Sequence, residues 1–137
     1  MQELRKRPEG WRTLRVGELE LWWSAGEPRI TAGVRAEPGE PLSQAVAITL
    51  TVMRSDASGK KLVCILRGHR ALAGLGGGQT LAIEPSAVRR VVEQAAPRGA
   101  WPTGRGTLTA ELALPRPVPR SLQLEDLEGV ALVWKHA

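Results

Sequence analysis

The side chains able to do chemistry in this chain are few and scattered. Its histidines are His69 and His136, and Cys64 is its one cysteine. A general base must sit beside the proton it takes, and a nucleophile beside its base. His69, between Gly68 and Arg70, has neither a nucleophile nor an orienting carboxylate near it in sequence. A zinc site needs a spaced cluster of Cys and His, which one cysteine and two distant histidines do not provide. Cys64 is flanked by Val63 and Ile65, the setting of a buried, inert thiol. Glu125, Asp126 and Glu128 are close together but lack the ligand spacing of a calcium loop, so a solvated turn is expected. The glycine-rich "GLGGGQ", with Gly74 to Gly78, lacks the lysine of a phosphate loop. "QTLAIE" then separates it from the helix whose amides would have to meet the phosphate. It is expected to be a plain loop. No catalytic residue, metal ligand or cofactor is expected, and the chain is read as non-enzymatic.

Contact residues are the remaining candidates. Trp and Arg dominate the energetics of protein interfaces, and this chain is rich in both, with five tryptophans, fifteen arginines and only four lysines. Trp22, Trp23, Arg89, Arg90 and Trp101 form the expected partner-binding set. Trp22 and Trp23 are adjacent, and neighbours on a strand point to opposite faces. One indole should therefore enter the core, while the other is covered by a second layer or left for a partner. The alternative is nucleic-acid binding through Arg5, Lys6, Arg7, Arg12 and Arg15 of the basic N-terminal stretch. The chain has no Phe or Tyr, the rings that single-strand RNA platforms rely on.

The elements that must position these residues follow from periodicity. "IEPSAVRRVVEQAAPRGAWP" reads as an amphipathic helix. Val88, Val91, Val92 and Ala95 fall on one stripe, and Arg89, Arg90, Glu93 and Gln94 lie off it. Pro85 suits the first turn, Glu84 or Ser86 can cap it, and Pro97 and Gly99 end it. Period-2 alternation marks strands around Gly17-Glu18 (a hairpin), in "AVAITLTVMR" and in "GTLTAELAL". "PRITAGVRAE" is a weaker strand broken at Gly33, an edge or a bulge. "LVCILR", an unbroken apolar run, suits a central strand covered on both faces. Residues 37–44 and 68–80 read as loops, "SDASGKK" as a turn-rich connection, "PRPVPR" as a stiff linker, "SLQLEDLEG" as a short strand or helical turn, and "VALVWK" as a final strand. The expected fold is α+β: a mostly antiparallel sheet of six to eight strands with one helix on one face. Residues 1–10 are expected to be a flexible N-terminus and residues 11–137 one domain. A sheet face without a helix must be covered by loops, a second layer or another subunit.

Composition bounds the setting. At 137 residues, 42% apolar and 24% charged, the chain matches an ordinary folded domain that can bury a core. The net charge of +5 favours anionic partners weakly. A lone cysteine precludes an internal disulfide and suits a reducing compartment. No signal-like or membrane-length apolar run is present, so a cytoplasmic protein with no membrane contact is expected.

Pro85, Val88, Arg89, Trp101, Pro102 and Gly106 carry a resemblance to a recurrent piece of small uncharacterised bacterial proteins: a strand, a Pro-started helix with a Val-Arg pair, then a Gly-Trp-Pro turn into another strand. Some of those proteins resemble immunity or accessory proteins. The resemblance covers about twenty-five of the 137 residues, and here Ala100 separates Gly99 from Trp101. It implies a strand–helix–strand segment and a bacterial protein whose partner is another protein; independently of it, a second copy of the chain is a further candidate partner. It implies no catalytic residue.

Overall fold

The computed structural model describes residues 7–35, 37–71, 82–114, 118 and 121–136. Arg5, Lys6, the Gly74–Gly78 run and most of "PRPVPR" lie outside these residues.

The strands are β1 (Arg12–Val16), β2 (Leu19–Ala25), β3 (Arg29–Val34), β4 (Ser43–Arg54), β5 (Lys61–Ala71), β6 (Ala82–Ile83), β7 (Thr107–Ala113), β8 (Ser121–Leu122) and β9 (Lys135–His136). The helix α1 spans Pro85–Ala95. Seven strands form one sheet in the order β1-β2-β4-β5-β7-β9, with β3 also paired to β4, and β6 and β8 form a separate parallel pair. Every pairing in the large sheet is antiparallel except β5 with β7. That exception follows from the chain path. A parallel neighbour needs a long crossover, and α1 lies in the crossover from β5 to β7. The fold is thus α+β, a mostly antiparallel sheet with one helix.

The sheet is centred on β4. Its C-terminal half pairs with β2 and its N-terminal half with β3, so these two strands run end to end along one side of it. The break between them is Gly26-Glu27-Pro28, where the Gly26 N–H still reaches the Thr49 carbonyl at 2.9 Å. β3 carries a second irregularity between Ala32 and Val34, where Gly33 takes φ 74°. The expected bulge is there. β5 is longer than expected. Gly68 to Ala71 continue the ladder opposite Ser43 to Val46 instead of starting a loop. A side chain at Gly68 would collide with Leu114 and Val118, which explains a glycine inside a central strand.

Trp22 and Met53 are buried on one face of the sheet, and the main core lies on the other. Leu21, Trp23, Ile48, Leu50, Val52, Leu62, Cys64 and Leu66 project to it, and α1 covers them with Val88, Val91 and Val92. Those three valines are at most 1% exposed. Glu84 holds the N-cap position in an extended conformation but leaves the cap empty. Its Oε1 instead accepts from the Ser121 hydroxyl at 2.6 Å, and the Ser86 hydroxyl accepts from the Leu124 N–H at 3.2 Å. The capping candidates therefore tie the helix start to β8 through Ser121 and to the segment after it through Leu124. Of "VALVWK" only Lys135 pairs with β7, where it and the following His136 form β9. Upstream, Gln94 of α1 takes its backbone: Gln94 Nε2 donates to the Val130 carbonyl, and the Leu132 N–H donates to Gln94 Oε1, each at 2.7 Å. This draws the segment toward the helix and away from β7.

The unbroken apolar run of β5 predicts cover on both faces, but the strand is covered on one. Leu62, Cys64 and Leu66 are buried, Val63 and Ile65 are half-buried, and Lys61 and Arg67 are exposed. No helix of the described residues is long and apolar enough to cross a membrane.

Candidate functional site

The face opposite α1 exposes Thr49, Arg67, Glu111 and Ala113, while Trp22 and Met53 at its β2 end are buried. Strand register assigns its occupants, because side chains alternate across a sheet. Trp22 lies between its register partners Thr13 and Met53. Ser24, Thr51, Val63 and Thr109 form the next row across the strands, then Thr49, Ile65 and Glu111, then Ala47, Arg67 and Ala113. The centre is therefore threonine, alanine, valine and isoleucine, with Ala47, Thr51, Val63, Ile65 and Thr109 half-buried and Thr49 and Ala113 exposed. Beside β7 this surface dips into a hollow of about 410 Å³ lined by Thr109, Ala110, Glu111, Val133 and Lys135. Val133 is 68% exposed there, more than any other large apolar side chain described.

Charge is divided between the two sides. Arg15, Arg29, Lys61, Arg67 and Lys135 share the open face by register, against Glu20 and Glu111. Arg7 joins them by donating to the Thr13 hydroxyl at 3.0 Å. Both carboxylates are already paired, Glu20 with Arg15 at 3.3 Å and Glu111 with Arg67 at 3.7 Å. These exposed pairs contribute little to stability. Arg29, Lys61 and Lys135 have no carboxylate partner among the described residues. The helix side carries Glu84, Glu93, Glu125, Asp126 and Glu128, which offset Arg12, Arg89, Arg90 and Arg98.

The expected contact residues are not brought together. Trp22 and Trp23 point to opposite faces and are 6% and 3% exposed. Trp23 is core, with the Arg12 guanidinium 5.5 Å from its ring centre. Trp101 is 6% exposed, and its Nε1–H donates to the Lys60 carbonyl at 3.0 Å. None of these three indoles is available for a partner to grip. Arg89 is exposed, and its Nη2 donates to the Arg15 carbonyl at 3.2 Å, tying α1 to β1. Arg90 is half-buried. Of the alternative set, Arg12 and Arg15 project to opposite faces, so the basic N-terminal residues do not make one surface.

Chemistry has little to work with elsewhere. Cys64 lies on the helix face, and burial pushes its thiol up to about 12, so it holds its proton. His69 sits on the open face opposite Ala45, with no hydrogen-bond partner among the described residues. Those residues hold no group of three or more His, Cys, Asp and Glu side chains placed for a metal ion. A cleft of about 350 Å³ opens between Arg12, Trp23 and Glu84, but the Glu84 carboxylate there already accepts from Ser121. The Asp56 carboxyl is held below the usual carboxylate range, chiefly by the Ser58 hydroxyl and N–H that it accepts at 2.6 and 2.9 Å. Its partners are those of a tight turn.

Sequence reasoning missed the open face because its residues are bland one by one. Alternation in "AVAITLTVMR" places Ala47, Thr49, Thr51 and Met53 on one side. Only the pairing with β5 and β7 shows that Val63 and Ile65 extend that side. No family model, curated protein or solved structure matches the chain.

Proposed function

We propose that this chain is a non-enzymatic protein-interaction module, an accessory or immunity-like subunit that binds a partner protein through the open face of its sheet. One observation carries this reading: a large sheet whose second face has half-buried Val63 and Ile65 at its centre beside exposed Thr49 and Ala113. Burying apolar area is the main driving force of association, and interfaces combine an apolar centre with a polar rim. Val63, Ile65 and Val133 supply the centre, and the hollow beside Val133 can accept an anchoring side chain. The alternative, nucleic-acid binding, draws its support from the cations around the same face.

Affinity capture from the native host tests this with two variants. Ile65→Arg places a charge in the centre of the face, whereas Arg89→Glu with Arg90→Glu changes the helix side and removes the Arg89 hydrogen bond to β1. A specific partner protein is expected with the wild type and the helix variant, and its recovery should fall at least tenfold with Ile65→Arg, as for a central interface residue. Loss with the helix variant alone would move the site to α1. Capture of nucleic acid, with affinity falling steeply as salt rises, would replace the protein reading with the alternative.

A further inference from the structure

We propose that the occupant of the open face is a protein surface with an apolar centre ringed by carboxylates, rather than a second copy of this chain or a nucleic acid. This rests on the open face being the docking surface and adds the chemistry of its partner. Arg7, Arg15, Arg29, Lys61, Arg67 and Lys135 stand around a neutral centre, and the two carboxylates present are already paired. Cations without partners stay hydrated in the free protein and gain most from opposing negative charge. Two copies docked by this face would set one basic rim against another, a juxtaposition that costs several kcal/mol.

Nucleic acid would satisfy the cations but not the centre. Single strands are held by stacking bases on exposed aromatic rings; among the described residues the register places Trp22 and His69 on this face, the first 6% exposed and the second half-buried. Aliphatic Val63, Ile65 and Val133 offer no such platform and gain from apolar contact instead. The arrangement fits a polypeptide that presents both aliphatic or aromatic groups and carboxylates.

A random copolypeptide of glutamate and tyrosine serves as a probe with both features, and oligo-dT as one with phosphate and bases. Binding of each is measured by fluorescence anisotropy at low and moderate salt. The face variant is Lys61→Glu with Arg67→Glu, and a control variant, Arg89→Glu with Arg98→Glu, changes the net charge equally on the other side. The copolypeptide is expected to bind the wild type more tightly than oligo-dT does, to lose about tenfold or more with the face variant and to change less than about twofold with the control. Equal losses with both variants would reduce the effect to net charge and overturn the proposal. So would tighter binding of oligo-dT, or a wild-type dimer in light scattering that the face variant dissolves. Capture of the native partner separates the two levels. If Ile65→Arg loses it and Lys61→Glu with Arg67→Glu keeps it, the face docks a partner but not through carboxylates. If both variants keep it, the docking face itself is wrong.

Discussion

Val92→Asp is expected to abolish the cooperative thermal transition at neutral pH. Val92 is 0% exposed and sits in the middle of the stripe with which α1 covers the sheet. It belongs to one apolar cluster with Val88, Val91, Leu50, Leu62 and Cys64 among others, and none of these can pair with a carboxylate. Burying an unpaired charge costs several kcal/mol even after relaxation. A domain of this size has a total stability of about 5 to 15 kcal/mol, so the loss consumes most or all of it. Val92→Ala separates charge from packing. It removes two methyl groups, should cost about 2 kcal/mol, and should leave a cooperative melt at lower Tm. Circular dichroism melts of the three proteins decide the matter. A Val92→Asp melt close to that of the wild type would mean that α1 is not seated as described.

Gly59→Val should be nearly as damaging, by a different route. Gly59 takes φ 75°, a conformation that costs a side-chain-bearing residue about 1 to 2 kcal/mol. A Cβ there would also lie 2.5 Å from the Pro102 carbonyl oxygen and 2.5 Å from Trp101 Cδ1. The β4–β5 hairpin loop is seated against the turn after α1, with the Lys60 N–H donating to the Pro102 carbonyl and the Trp101 indole donating back to the Lys60 carbonyl, each at 3.0 Å. A larger residue must displace either the backbone or the indole, and a buried tryptophan contributes about 3 to 5 kcal/mol. Tryptophan emission should shift to longer wavelength in the variant, and Tm should fall by more than about 10 °C, given roughly 2 to 8 °C per kcal/mol across small domains. Unchanged emission and Tm would show that the loop does not lean on Trp101.

What could be read in the sequence was what is local. The valine stripe of α1, Pro85 in its first turn, the Gly17-Glu18 hairpin and the alternation of β4 and β7 are set by period and turn chemistry, and the structure has them. What could not be read depends on long-range pairing. Nothing near Gly26-Glu27-Pro28 says that β2 and β3 share one side of β4. Nothing in "GTLTAELAL" says that it lies parallel to "LVCILR". The second brings Val63, Ile65, Thr109 and Glu111 onto one surface, and the first adds Ser24 and Arg29 to it. The tryptophans misdirected for a related reason. Indoles are prominent as contact residues, yet in a chain lacking Phe and Tyr they are the large anchors of the core. Trp23 and Trp101 are buried for that packing.

The division of the sheet into a sealed face and an open one is the central claim, and the single native cysteine gives direct access to it. Cys64 on β4's neighbour β5 faces the helix at 1% exposure, while Thr49, a residue of β4, is exposed on the opposite face. A thiol-reactive reagent at neutral pH should therefore leave Cys64 of the native wild type unmodified until the protein unfolds. Thr49→Cys in a Cys64→Ala background should be modified at close to the rate of an unfolded control. Rapid labelling of native Cys64, or protection of the introduced thiol in the monomeric variant, would contradict the account.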